Sequence, residues 1–238
     1  MRSAHFIASL AVAVLLAAVS PAAAEDVTVV ELFTSQGCSS CPPADAQLRE
    51  LSKEPGIVAL SLHVNYWDYI GWKDPFASAT TTERQHLYAN SLKQRFVYTP
   101  EMVIDGYTDV NGASSSAVES AISKARSRDR LRLKVAASVD GDELKVSIPA
   151  ADGAKKASVW LFEIDREHTT EVARGENGGR TLVNANVVRS MKKIGEWDGQ
   201  AVELTADLDD AKDRDACAIV IQEAATGPVL GATLVSIH

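Results

Sequence analysis

The sequence predicts an α/β unit with a partly parallel sheet over residues 25–128, followed by an all-β antiparallel sandwich over residues 129–238. Three observations predict it. Apolar runs at 27–34 and 57–64 read as buried strands and flank a helical pattern at 39–53, with Ala44, Leu48 and Leu51 at helical spacing, which is how a βαβ unit reads. Cys38 and Cys41 sit at the junction between the first of those strands and the helix. Past a charged stretch, Ser127-Arg128-Asp129-Arg130, seven short strand-like runs follow within about a hundred residues, separated by turn signals.

Residues 1–24 have the pattern of a secretory signal: Arg2, an apolar run from Phe6 to Val19, then Pro21 and alanines at 22, 23 and 24. The run is short for a membrane span, which makes an uncleaved anchor the weaker alternative, and no cysteine follows to carry a lipid. The expected location is therefore periplasmic or secreted after cleavage near Ala24, with no membrane span in the mature chain. Lys+Arg 24 against Asp+Glu 32 give a net charge of −8, and removing Arg2 takes it to −9. That balance argues against nucleic acid or an anionic membrane as a partner. Outside the cytosol a cysteine pair lives where disulfides persist.

Within the first half, Thr80-Thr81-Thr82-Glu83 reads as a capping box opening a helix to about Arg95, with Tyr88, Leu92 and Phe96 on one face. Asp105-Gly106 reads as a two-residue hairpin turn. Ser116 and Glu119 cap a last helix carrying Ala117, Val118, Ala121, Ile122 and Ala125. The order is β-α-β-α-β-β-α. In the second half the strand-like runs are 131–139, 143–148, 157–164, 182–188, 201–206, 216–221 and 229–237, with turn residues such as Asp140-Gly141-Asp142 and Asp152-Gly153 between them.

The chemistry is concentrated in Gln36-Gly37-Cys38-Ser39-Ser40-Cys41-Pro42-Pro43-Ala44-Asp45. At a helix start the first thiol is expected to face unpaired backbone N–H groups and the positive end of the helix dipole, which favour its thiolate. The second, one turn on, is close enough to attack a mixed disulfide formed at the first. Pro42 and Pro43 suit a first helical turn. Half of a zinc site and an inert structural disulfide are the bland alternatives. A closed zinc site wants four ligands, and the only other thiol is Cys217. A bridge this tight closes too small a loop to constrain the unfolded chain much. Redox chemistry is the favoured reading. Cys217, in an apolar strand-like run, is expected to be buried and inert. The stretch from His63 to Phe76 concentrates Tyr66, Trp67, Tyr69 and Trp72; such a loop either seals an interface or forms a substrate platform beside Cys38. The Gly-rich run from Arg174 to Arg180 reads as a hairpin loop, with an anion cradle as the weaker possibility.

Val30-Glu31-Leu32-Phe33 leading into Cys-x-x-Cys, then Arg95-Phe96-x-x-Thr99-Pro100 and Asp105-Gly106, resembles the thioredoxin fold. The three long motifs together are similar to an exported bacterial thioredoxin-like family catalogued as a domain of unknown function, of DUF1223 type. The resemblance implies an α/β thioredoxin-like fold, with the sandwich after it, and assigns roles. Cys38 is the attacking thiol and Cys41 the resolving one. Glu31 is a carboxylate buried beneath the second cysteine that moves its proton. Gly37 and the cis-proline loop Thr99-Pro100 line a substrate groove, to which the aromatic loop would add Trp67 and Trp72. The chain departs from the thioredoxin pattern at Gly37, where a Trp is usual, and in having no basic side chain inside the motif. The expected function is an exported thiol–disulfide oxidoreductase acting on protein thiols or disulfides with an exported redox partner. It calls for no cofactor and no resident metal. The competing reading is a periplasmic copper-handling protein, in which Met102 and His63 complete a Cu(I) site with the two thiolates.

Overall fold

In the computed structural model, which describes residues 26–208 and 211–238, β1 (Thr28–Thr34) is buried along its whole length. The expected signal segment, residues 1–24, lies outside the described residues. β1 pairs in parallel with β2 (Ile57–His63) across α1 (Pro42–Leu51), which is the βαβ unit the apolar runs predict. On its other edge it takes β3 (Glu101–Ile104) antiparallel, and β3 turns into β4 (Thr108–Asn111). Successive strand side chains point to opposite faces. Val30 and Leu32 therefore pack with Ala44 and Leu48 of α1 and with Val118 and Ile122 of α3 (Ser115–Arg126). Val29 and Phe33 face the other way, toward Tyr88 of α2 (Ala79–Ser91).

The Asp105–Gly106 turn forms as expected, with φ of 51° and 68° at the two residues. Only glycine fits the second position, because a Cβ there would lie 2.1 Å from the Gly227 carbonyl oxygen. α2 starts earlier than its Thr80 box suggests: Ser78 is the N-cap, its hydroxyl accepting from the Thr81 N–H at 3.1 Å. It also ends earlier, at Ser91, and Lys93 turns left-handed at φ 58°. Phe96 thus leaves the helical face and is 72 % exposed.

The second half corrects the fold expected from sequence. Its seven strands are present, as β5 (Ala136–Asp140), β6 (Glu143–Ile148), β7 (Ala157–Glu171), β8 (Thr181–Trp197), β9 (Val202–Asp207), β10 (Ala216–Glu223) and β11 (Val229–Ser236). They do not build a separate sandwich behind a thioredoxin-like unit. Four of them continue the first sheet, giving one eight-stranded mixed sheet in the order β11-β10-β7-β8-β2-β1-β3-β4. The join is a parallel pairing of Ser61 with Val187, reinforced by the Asn186 carboxamide donating to the Ala59 carbonyl at 2.9 Å. β5, β6 and β9 form a small second sheet over the face that carries Leu161, Cys217 and Ile219. The architecture is mostly strand, with three α-helices among the described residues.

The physical reason lies in β2. It is buried at every position, and its edge away from β1 would leave buried N–H and C=O groups unpaired without another strand. Hydrophobic pattern identifies a strand but not the edge it joins. β7 and β8 also run to 15 and 17 residues, with register shifts at Val159/Trp160 and Glu163/Ile164. Bulges of this kind let long strands bend and serve two environments. The charged stretch between the halves is tied down rather than free. Arg130 pairs with Asp105 at 2.5 Å and donates to the Val229 carbonyl, and the Val229 N–H donates to the Asp105 carbonyl at 2.9 Å. None of the helices among the described residues is long and apolar enough to cross a membrane.

Candidate functional site

β1 ends at Thr34, and the chain turns through Ser35, Gln36 and Gly37 into Cys38. The Cys38 N–H donates to the Ser35 carbonyl at 3.1 Å, and the Gly37 N–H to the Ser35 hydroxyl at 3.1 Å. Cys41 is the N-cap of α1, with Pro42 and Pro43 in the first turn. Cys38 and Cys41 are joined in a disulfide, with their Cα atoms 5.5 Å apart. The backbone donors expected around the first sulfur are mostly unavailable. Two prolines have no N–H, the Ala44 N–H is taken by the Cys41 carbonyl at 2.9 Å, and the Ser39 N–H points to Glu176 Oε2 at 3.3 Å. The polar neighbour of Cys38 Sγ is the Ser40 hydroxyl, at 3.4 Å. What the helix end retains is its dipole.

The disulfide is covered, with Cys38 only 3 % exposed and Cys41 fully buried. The β7–β8 connection, the Gly-rich run of the sequence, is bonded to the backbone that carries it. Asn177, itself fully buried, donates through Nδ2 to the carbonyls of Gln36 (3.0 Å) and Cys38 (2.9 Å). Gly175, at φ 79°, lets this loop lie against Trp72, whose Cβ is 3.2 Å from where a Gly175 Cβ would be. Gln36 is the hub beneath. Its N–H donates to Asp74 Oδ2 (2.7 Å), its Nε2 to Asn184 Oδ1 and Thr170 Oγ1 (3.0 Å each), and its Oε1 accepts from Trp72 Nε1 (3.1 Å). Long-range polar partners of this kind leave no mark in a local sequence pattern, although Asn177 lies inside the Gly-rich run from Arg174 to Arg180.

The residues expected to bind substrate do come together. Trp67 Nε1 donates to Thr99 Oγ1 at 2.8 Å, and the Thr99–Pro100 peptide is cis. A Cβ at Gly37 would sit 3.1 Å from the Trp67 Cβ, so the missing side chain is what lets Trp67 lie against the motif. Tyr66 and Trp67 also pack on the core, whereas Tyr69 is 80 % exposed. The aromatic loop therefore seals the fold and presents a ring to solvent.

Glu31 is buried as expected, but not beneath Cys41. It lies on the α2 side of β1, opposite α1, with Val29 and Phe33. Arg84 grips it through Nε (2.5 Å) and Nη2 (2.9 Å), and the Tyr88 hydroxyl donates to it at 2.5 Å. Gln222 of β10 completes the set by accepting from Arg84 at 2.9 Å and donating to the Tyr88 oxygen at 2.7 Å. Burial works against charge on the Arg84 guanidinium, yet Glu31 beside it more than offsets that and raises its pKa. Desolvation raises the Tyr88 phenol well above 10.0.

On the α1 side, under the cysteines, are ionisable groups that the sequence did not single out as a set. Asp45 accepts from the Thr34 hydroxyl at 2.8 Å, and burial pushes its carboxyl up to about 6, against the opposing pull of His63 and Thr34. His63 Nδ1 meets Asp74 Oδ2 at 2.7 Å, and since an ionised carboxylate only accepts, Nδ1 carries the proton. Burial opposes charge on Asp74, but His63 and the N–H donors of Gln36 and Phe76 outweigh it and hold its carboxyl below 3.8. His63 Nε2 is buried with no hydrogen-bond partner among the described residues, a situation that costs about 1–3 kcal/mol. Met102 lies in the apolar cluster of α1 and α3. Cys217 is a free, fully buried thiol whose pKa is pushed up to about 12 by desolvation. A cavity of about 400 Å³ runs between the β3–β4 hairpin and α3, on Tyr107 and Arg128, and none of the residues named from sequence as site residues lines it. A smaller one, of about 170 Å³, is lined by Pro42, Asp45, Ala46, Arg49 and residues 181–183.

A family profile described as "Protein of unknown function (DUF1223)" matches residues 29–222. Among solved structures, the crystal structure of protein AGR_C_4864 from Agrobacterium tumefaciens is 33 % identical, covers 90 % of this chain and 96 % of its own, and superposes with a TM-score of 0.79. HBP35 of Porphyromonas gingivalis, at 13 % identity, covers 89 % of this chain and 75 % of its own with a TM-score of 0.63, a likeness of fold alone. No curated protein matches the chain.

Proposed function

We propose that this chain, which belongs to the DUF1223 family of proteins of unknown function, is an exported thiol–disulfide oxidoreductase acting on protein thiols or disulfides. The observation that carries the reading is the Cys38–Cys41 disulfide at the N-terminal end of α1. Cys38 is the sulfur to be attacked, since it lies in the turn ahead of the helix, next to two exposed serines. Cys41, fully buried, is the one that resolves. Trp67 and Thr99, half-buried and joined by a hydrogen bond, offer the adjoining surface for an extended substrate segment, with Gly37 and Pro100 buried beneath them and Trp72 supporting it through Gln36. Export rests on the signal pattern of residues 1–24.

Equilibration with defined ratios of reduced and oxidised glutathione tests the reading. A single two-electron transition is expected, lost in Cys38→Ser. A Cys41→Ser variant should accumulate mixed disulfides with exported proteins. No transition between strongly reducing and oxidising buffers would refute the redox role. Tight binding of one Cu(I) with poor thiol exchange would put copper handling in its place.

A further inference from the structure

We propose that Asp45 is the proton carrier of Cys41, supplying the proton when the disulfide opens and removing it when the disulfide closes; the proposal rests on the thiol–disulfide reading above. Cys41 and Asp45 are four residues apart at the start of α1, joined by the Asp45 N–H donating to the Cys41 carbonyl at 3.1 Å, so their side chains share one face. Both are buried. Glu31, the buried carboxylate that the sequence singles out, is on the other side of β1 and is held by Arg84 and Tyr88, and Asp74 is held by His63. Asp45 instead has two neutral side-chain partners, the Thr34 hydroxyl and the Asn184 carboxamide, and lines the small cavity beside Pro42, through which a proton reaches solvent.

The groups facing Asp45 come from every surrounding element. Thr34 belongs to β1, His63 to β2, Asp74 to the aromatic loop and Asn184 to β8. On its own helix Arg49 lies one turn on, paired with Glu167 of β7 at 2.9 Å. Burial sets the Asp45 carboxyl at about 6, within reach of the pH at which thiols exchange. His63, oriented by Asp74 and with Nε2 free of other partners, is a positioning residue that tunes this carboxyl by its charge.

The step balances as follows. A substrate thiolate attacks Cys38 Sγ and forms a new S–S bond there. The Cys38–Cys41 bond breaks, its electron pair leaves on Cys41 Sγ, and the Asp45 carboxylic acid gives that sulfur its proton. A second substrate thiolate then displaces Cys38, so that the substrate dithiol leaves as a disulfide and the protein holds a Cys41 thiol and a Cys38 thiolate, Asp45 regaining its proton from solvent. In the reverse direction the Cys41 thiol gives its proton to the Asp45 carboxylate as it attacks the mixed disulfide.

Stopped-flow reduction of the intact protein by dithiothreitol, from pH 5 to 9 and corrected for the reagent's thiolate fraction, tests this. The wild-type rate should fall as pH rises through the Asp45 titration. Asp45→Asn should slow reduction on the order of 10- to 100-fold and flatten the profile. Thr34→Val removes the donor that favours the carboxylate, so its inflection should move to higher pH. A wild-type rate and profile in Asp45→Asn, or an unmoved inflection in Thr34→Val, would overturn the role of Asp45 while leaving the redox reading intact. A wild-type disulfide that dithiothreitol fails to open in the folded protein would overturn both.

Discussion

Asn177 lies 139 residues beyond Cys38 in sequence, and its carboxamide donates to the Cys38 carbonyl at 2.9 Å. With the second bond, to Gln36, this one side chain holds the β7–β8 loop against the backbone that carries the disulfide. A protein substrate has little access to Cys38, a residue only 3 % exposed, without some local opening. Opening breaks Asn177's bonds while leaving the sheet intact, so it is a local event with its own free energy.

Asn177→Ala is therefore expected to speed the reaction of the disulfide with dithiothreitol while leaving the folded state intact by circular dichroism. If the two bonds together stabilise the closed loop by about 1.4 kcal/mol, the open population and the rate rise about tenfold. An unchanged rate would mean that Cys38 is reached by another path.

The Glu31–Arg84 pair predicts a different kind of loss. Both side chains are 1 % exposed, and Tyr88 and Gln222 depend on them for hydrogen bonds. Arg84→Met leaves a carboxylate buried without its cation, at a cost of about 3–5 kcal/mol. Glu31→Leu combined with Arg84→Met should recover much of that, since neither charge is then stranded. Urea unfolding of the single and double variants measures the coupling, and simple additivity would argue against a tight pair.

The sequence made some of this legible and hid the rest for identifiable reasons. β1, α1 and β2 were readable because their apolar spacing is local, and the Asp105–Gly106 turn because only a few residues tolerate positive φ. The joining of β8 to β2 was not, because the pairing of Ser61 with Val187 spans the two halves and no period encodes it. Burial of Glu31 could be read from its apolar neighbours, but which face it takes depends on strand register, and a one-residue shift reverses it. Asp45 stands inside the motif, but nothing local marks it, since its environment is made by Thr34, His63 and Asn184 from three strands.

Cys217 should behave as a hydrocarbon. It is fully buried between β7 and β11, and desolvation puts its pKa at about 12. At pH 8 the thiolate fraction is then roughly a thousandfold below that of a free cysteine, before access is considered. Iodoacetamide should label it only after denaturation. Rapid labelling of the native protein, or a disulfide-linked dimer lost in Cys217→Ala, would show that β10 opens.

Asp45 and Asp74, on either side of His63, should contribute to stability with opposite dependence on pH. The Asp74 carboxyl is held below 3.8, so its contribution is present above the ordinary carboxylate range and is lost as pH falls through its lowered value. The Asp45 carboxyl is raised to about 6. Below about 3.8 it is protonated in both folded and unfolded chains and costs nothing; above about 6 the folded state must hold a buried carboxylate. At 1.36 kcal/mol per unit, that penalty is about 3 kcal/mol at pH 8. Asp45→Asn keeps an oxygen for the Thr34 hydroxyl and removes the charge, so it should stabilise the oxidised protein by up to about 3 kcal/mol at pH 8 and by almost nothing at pH 4. Urea denaturation at the two pH values, with the Cys38–Cys41 disulfide intact, decides it. A gain that is the same at both would mean that the Asp45 carboxyl has the same pKa in the folded and unfolded chains. A loss at pH 8 would mean that its carboxylate is stabilised by its surroundings, so that burial has not raised it into the working range.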